Sequence, residues 1–242
     1  MSNNMKIRLF TVPNMLTLAN LLAGCAAIIF TLQYQAYETA FWLIIAAAVF
    51  DFLDGFAARL LKQQSPLGVQ LDSLADDISF GLAPAVVMYD LYGQSTSLYS
   101  LPVGVMSSLG YLCFIIAAFS ALRLAKFNID TTQSAEFEGL PTPANALMLM
   151  SLAAMSLCGD VVLYQEQILL ISVAASFLLI SPIRMFALKF KSFKLADNKL
   201  RYGFILASLL LIIFLTEYSI VAIIVLYIVL STLRWIILPR TK

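Results

Sequence analysis

Residues 51–76 read DFLDGFAARLLKQQSPLGVQLDSLAD, and the fold is read outward from this stretch. It carries four carboxylates, Asp51, Asp54, Asp72 and Asp76, as two pairs set in strongly apolar sequence. The first pair is spaced i,i+3 and the second i,i+4, so on helices each pair shares one face. A short connection around Ser65, Pro66 and Gly68 lets two such helices fold back and bring all four together. Carboxylates packed that closely repel unless a cation compensates them. Hard oxygen ligands suit Mg²⁺, Ca²⁺ or Mn²⁺. The stretch therefore predicts a divalent-metal site, and its apolar borders place that site at a membrane surface.

The rest of the composition agrees. The 242 residues are 61% hydrophobic and 12% charged, with a mean hydropathy of +0.90. A soluble domain carries about 25% charge. The sequence predicts an all-α integral membrane protein, a polytopic helical bundle. At about 20 residues per crossing, little is left for a soluble domain, and residues 1–242 read as a single membrane domain. Apolar runs at about 16–31, 39–61, 71–89, 101–122, 144–158, 168–180, 202–215 and 220–235 predict eight spans. Residues 1–12, with Lys6 and Arg8 beside Ile7, Leu9 and Phe10, read as a short interfacial helix. No small-residue cleavage site follows them, so the first apolar run reads as a retained span rather than a signal peptide.

Charge placement orients the bundle. With eight spans and the N-terminus inside, all 15 Lys and Arg residues fall in the segments assigned to the cytoplasm. The opposite side receives Glu38, Asp90, Asp160, Glu166 and Glu217 and no base. Lys and Arg favour cytoplasmic loops, so both termini and all four aspartates are expected at the cytoplasmic side. The localisation implied is a cell membrane with the active site facing the cytoplasm. Nothing in the charge pattern points to nucleic acid. Cys25, Cys113 and Cys158 sit in apolar runs without metal spacing and read as packing residues. There is no histidine, so catalysis must run through carboxylates, amines or metals.

Charged groups inside spans are functional by default. Any one of these aspartates alone fits a packing, proton-relay or cap role; four at this spacing do not. Metals held by carboxylates can grip a diphosphate, polarise the phosphorus and neutralise a leaving oxygen. A carboxylate left partly free can take a proton from an attacking hydroxyl. Gly55, Ala58 and Gly68 are small enough to admit backbone or ligand beside the site. Arg59, one turn after Gly55, reads as an aspartate or phosphate partner, or as a topological anchor. Asn20, deep in the first span, reads as a helix-packing residue or a substrate contact. Asp77 points off the Asp72/Asp76 face and reads as a supporting group rather than a ligand. The basic run from Arg184 through Lys189, Lys191, Lys194 and Lys199 to Arg201 suits anionic membrane lipids or simply marks the inside. Arg184 is its member best placed to reach a substrate phosphate.

The full pattern Asp51-x2-Asp54-Gly55-x2-Ala58-Arg59-x8-Gly68-x3-Asp72-x3-Asp76 resembles the signature of the CDP-alcohol phosphatidyltransferase family at every fixed position. That resemblance implies transfer of a phosphatidyl group from a CDP-linked lipid to an alcohol, with release of CMP. It implies Asp51, Asp54 and Asp72 as metal ligands. Asp76 would complete the metal site and act as base. Gly55, Ala58 and Gly68 would line the nucleotide pocket. It further implies two ions, Mg²⁺ or Mn²⁺, and a homodimer whose interface no residue run marks. Outside the signature, Arg123-Leu124-Ala125-Lys126-Phe127-Asn128 and Phe137-Glu138-Gly139-Leu140-Pro141-Thr142-Pro143-Ala144 resemble patterns of the membrane-embedded phosphatidylserine synthases. The acceptor implied is L-serine and the donor CDP-diacylglycerol. Arg123, Lys126 and Asn128 then suit the serine carboxylate. Lys126 stands where those synthases carry arginine, which keeps the charge and loses the bidentate fork.

Two rivals have distinct signatures. An acceptor such as glycerol-3-phosphate or inositol phosphate would want more positive charge around the second substrate. A cation-coupled transporter would spread polar residues through several spans, whereas the outer halves here are nearly featureless.

Overall fold

In the computed structural model, the residues described are 8–99, 102–130, 136–186 and 198–237. The chain runs α1 (Val12–Tyr34), α2 (Tyr37–Leu60), α3 (Pro66–Asp76), α4 (Ala83–Gln94), α5 (Val103–Leu109), α6 (Ile115–Ile129), α7 (Thr142–Leu157), α8 (Gln165–Ile180), α9 (Lys199–Leu215) and α10 (Ser219–Ile237). A π-helical segment, Asp77–Leu82, joins α3 to α4, and a 3-10 turn, Gly110–Phe114, joins α5 to α6. Of the expected apolar runs, 71–89 is divided among α3, the π-helical segment and α4, and the described part of 101–122 among α5, the 3-10 turn and α6. Among the described residues, four helices are long and apolar enough to cross a membrane: Val12–Tyr34, Tyr37–Leu60, Ser107–Ile129 and Ser219–Ile237. The helices Thr142–Leu157 and Gln165–Ile180, of 16 residues each, rise only about 24 Å, less than the roughly 30 Å hydrocarbon core.

Local sequence explains the key boundaries. Thr11 caps α1, accepting from the Asn14 amide at 3.3 Å, with Pro13 in the first turn. The helix therefore starts at Val12, and residues 8–11 are not helical. Of the interfacial helix expected over residues 1–12, residues 1–7 lie outside the described residues. Ser65 caps α3 by accepting from the Gly68 amide at 3.0 Å, with Pro66 at the helix start. Proline suits that position because its missing N–H has no helical acceptor there. This capped turn packs α3 against α1, with its aspartates turned toward Asp51 of α2.

Small residues set the helix spacing. Ala23, Gly24 and Ala27 on α1 and Ala40, Ile44 and Ala47 on α2 are buried in one apolar cluster, which lets the two backbones approach closely. Large apolar side chains such as Leu22, Trp42, Phe52, Leu170 and Phe214 instead point outward. In water so much exposed apolar surface would be an aggregation liability; lipid tails are its natural solvent. At the far end, Tyr37 donates to Asp90 at 2.6 Å, and Gln94 donates to both at 2.8 and 2.7 Å. The Ser97 hydroxyl and the Leu98 amide hold Glu166.

One departure from an all-helical chain is a three-residue antiparallel pair, β1 (Glu136–Glu138) with β2 (Arg184–Phe186), in which Glu138 faces Arg184. Gly139 ends β1 with φ +78° against the end of α8, a conformation that favours glycine. The Gly139 and Leu140 amides donate to Ile183 and Leu178, both at 2.9 Å. The basic-loop residues Lys189, Lys191 and Lys194 lie outside the described residues.

Packing is tight at the π-helical segment as well. A Cβ on Gly81 would stand 2.6 Å from Asp77 Oδ1 and 2.8 Å from Ser120 Oγ. Gly81→Ala is expected to destabilise the fold by about 1–3 kcal/mol, the usual cost of overpacking. A lowered melting temperature in detergent checks this; an unchanged one would contradict the packing described here.

Candidate active site

The capped turn at Ser65 brings the two aspartate pairs together. Carboxylate oxygens of Asp51, Asp72 and Asp76 lie within 4.8 Å of one another. Asp54 stands outside that trio but on the same side, 5% exposed, and receives the Thr17 hydroxyl at 2.5 Å. Asp76 is also buried and receives Asn20 Nδ2 at 3.0 Å. The backbone carbonyl of Asn20 accepts from the Ser79 hydroxyl at 2.9 Å. Two helix-bound donors on α1 therefore orient two carboxylates, one on each of the facing helices.

The trio fits a metal ion. Three anionic oxygens this close, largely withdrawn from water, are mutually destabilising on their own. Asp72 Oδ1 is buried and has no hydrogen-bond partner among the described residues. Carboxylates with an unsatisfied oxygen are hard donors of the kind that bind Mg²⁺, Mn²⁺ or Ca²⁺. Asp77 is not part of the group; its Oδ1 faces Gly81 and Ser120, as suits a supporting residue.

Beside the trio lies a pocket of about 180 Å³. Its floor includes Asp54 and Asp72, and its walls include Gly55, Ala58 and Gly68, with Arg59 at the rim. The Arg59 guanidinium lies back over Gly55, where a Cβ would come 3.6 Å from Nη1. Asn14, Thr17, Gln63 and Gln64 complete a polar lining. An elongated polar molecule can lie here, over the carboxylates and between small residues.

A second, smaller pocket gathers Arg123, Lys126, Phe127, Glu138, Leu179 and Ile180. Arg123 lies deep on α6, within electrostatic reach of Asp76, and its Nε has no partner among the described residues. Lys126 pairs with Glu138 at 2.9 Å across the mouth. That bridge is solvent-exposed and contributes about 0–1 kcal/mol. Asn128 does not join this pocket; it donates to Ser73 Oγ at 2.7 Å and ties α6 to α3 between Asp72 and Asp76. Arg184 sits in β2 opposite Glu138 and lines neither pocket.

Thr17 and Glu138 were not among the residues singled out from sequence as site residues. Thr17 had a readable signal. Asn14, Thr17 and Asn20 recur every three residues along one face of an apolar span, and all three are buried. Glu138 had none, because its partner Lys126 is brought to it by the β1–β2 pairing.

The model of the family described as CDP-alcohol phosphatidyltransferase matches residues 10–180. A Mycobacterium leprae protein named CDP-diacylglycerol–serine O-phosphatidyltransferase is 40% identical over 158 residues, 62% of this chain and 49% of that protein. Helicobacter pylori and Bacillus subtilis proteins of the same name are 36% and 37% identical over 144 residues, each match covering 59% of this chain. Those matches cover 56% and 75% of the two relatives. The chain thus spans about half the length of the mycobacterial and Helicobacter relatives it matches. With three of the four signature aspartates gathered into one carboxylate cluster and the family match extending from the start of α1 to the end of α8, this chain belongs to the CDP-alcohol phosphatidyltransferase family.

Proposed function

We propose that this chain transfers a phosphatidyl group from CDP-diacylglycerol to the hydroxyl of L-serine, giving phosphatidylserine and CMP. The observation that carries the reading is the meeting of Asp51, Asp72 and Asp76 within 4.8 Å, beside a pocket walled by small residues. The names of the relatives supply the acceptor and donor. The chain acts as a single membrane domain, among membrane lipids and as a homodimer. The charge asymmetry of its loops puts the termini and the site on the cytoplasmic side of the cell membrane.

Each residue has a role in this reading. Asp51, Asp54, Asp72 and Asp76 hold two divalent ions, Mg²⁺ or Mn²⁺. Ions held there would supply positive charge to the diphosphate and to the oxygen that departs with CMP. The cytidine diphosphate lies along Gly55, Ala58 and Gly68, with Arg59 toward its phosphates. Thr17 and Asn20 keep Asp54 and Asp76 in position. Asp76 takes the proton of the serine hydroxyl as its oxygen bonds to the lipid-side phosphorus. The bond from that phosphorus to the bridging oxygen breaks, and CMP leaves. Arg123 and Lys126 draw the serine carboxylate, Asn128 braces α6 against α3, and Arg184 supplies positive charge from β2.

CMP release tests the reaction. Purified protein in mixed micelles with CDP-diacylglycerol and Mg²⁺ or Mn²⁺ is expected to release CMP with L-serine and not with glycerol-3-phosphate, inositol phosphate or no acceptor. Release with another acceptor alone would keep the aspartate site and sink the serine assignment.

The metal reading is tested separately. Asp72→Asn is expected to abolish turnover while the protein still elutes as a folded species. Thr17→Val removes only a support of Asp54, so it is expected to raise the metal concentration for half-activity about 10- to 100-fold. Normal activity in purified Asp72→Asn would show that the carboxylates do not serve a metal.

A further inference from the structure

One buried polar atom adjoins Asp76, and another of opposite kind lies within its electrostatic reach. Asn20 is fully buried, and its Nδ2 is committed to Asp76 Oδ1 at 3.0 Å. Its Oδ1 is sealed from solvent and has no partner among the described residues. Reversing the amide would press Oδ1 against the Asp76 carboxylate, so the hydrogen bond fixes which atom is left over. That atom can only accept a hydrogen bond. Arg123 Nε is buried, lacks a partner and can only donate. Asp76 and Tyr227 act on it electrostatically, and the Tyr227 hydroxyl is spent on the Phe186 carbonyl at 3.0 Å.

An acceptor without a donor beside the proposed base, and a donor without an acceptor within electrostatic reach of it, form the complement of an α-amino acid. We propose that Asn20 Oδ1 binds the ammonium of the acceptor substrate and that Arg123 binds its carboxylate, while its hydroxyl meets Asp76. The inference rests on the phosphatidylserine-forming reading above and adds what selects serine. In serine the ammonium and the hydroxyl sit on adjacent carbons. A hydroxyl at Asp76 therefore carries the ammonium to the residue bonded to Asp76, which is Asn20. Three contacts on three different groups also distinguish L-serine from its mirror image. Glycerol-3-phosphate and inositol phosphate bring no ammonium and leave Asn20 Oδ1 unsatisfied. A site with a buried polar group rejects the analogue that lacks its partner more strongly than an apolar site rejects an extra group.

The test compares acceptors rather than absolute rates, because Asn20 also orients Asp76 and its loss slows every acceptor. Wild type, Asn20→Ala and Asn20→Ser are assayed for CMP release with saturating Mg²⁺ and CDP-diacylglycerol. L-serine is set against 3-hydroxypropionate, which keeps the hydroxyl and carboxylate and lacks the ammonium. Each is also measured as a competitor of L-serine, which gives a binding constant where turnover is slow. In Asn20→Ala the preference for L-serine over 3-hydroxypropionate is expected to shrink about 10- to 100-fold, the range for a hydrogen bond to a charged group. The KM for CDP-diacylglycerol is expected to hold. Arg123→Gln should spare ethanolamine, which lacks the carboxylate, relative to L-serine by a similar factor. Equal losses on L-serine and 3-hydroxypropionate would overturn the proposal and leave Asn20 as a positioning residue for Asp76. So would an unchanged preference with a raised metal requirement. Failure of the wild type to use L-serine, with CMP release on another acceptor, would instead sink the reaction assigned above.

Discussion

Mutual repulsion among buried carboxylates is the constraint that shapes this protein. Bringing Asp51, Asp72 and Asp76 within 4.8 Å at the end of an apolar bundle is costly in a medium that solvates charge poorly. Every nearby feature makes the arrangement tolerable or holds it in place. The Ser65 cap turns α3 back so that it packs on α1 with its aspartates facing Asp51. Thr17 and Asn20 donate to the flanking carboxylates. The Asp72 oxygen without a partner among the described residues is where, in the proposed reading, a cation would complete the site.

The bundle divides its labour by end. At the far end, Tyr37, Asp90 and Gln94 close a hydrogen-bonded triangle between α2 and α4, and Glu166 ties the start of α8 to the loop after α4. Those polar groups satisfy one another. At the site end, buried polar atoms of Asn20, Asp72 and Arg123 do not. Unsatisfied buried groups are rare in native structures and each demands an explanation. Those of Asn20 and Asp72 lie at the carboxylates themselves. The π-helical segment directly after Asp76 belongs to the same pattern, since widened helical turns gather at functional sites.

Helices α9 and α10 lie beyond the region matched by the family model, which ends at residue 180. They still bear on the site. Tyr227 on α10 donates to the Phe186 carbonyl, and its ring packs against Phe186 at 4.9 Å. Phe186 lies in β2, which pairs with β1 and so positions Glu138 across from Lys126. The second pocket thus depends on chain segments far apart in sequence.

Much of the site was legible because periodicity and chemistry coincide. Carboxylates spaced i,i+3 and i,i+4 must share helix faces, and a Ser-Pro pair before Gly68 must start a helix; both are local consequences of backbone geometry. The membrane character followed from composition alone. Which helices meet a full bilayer thickness, and that a β1–β2 pair interrupts the helical chain, emerged only from the folded chain, because helix length and strand pairing answer to packing as well as pattern. The same holds for the partners of Asp54 and Asp76. Sequence showed that Thr17 and Asn20 are polar in an apolar span. The crossing of α1 over α2 and α3 decided that one holds Asp54 and the other Asp76, since those contacts span 37 and 56 residues and depend on tertiary approach rather than helical repeat.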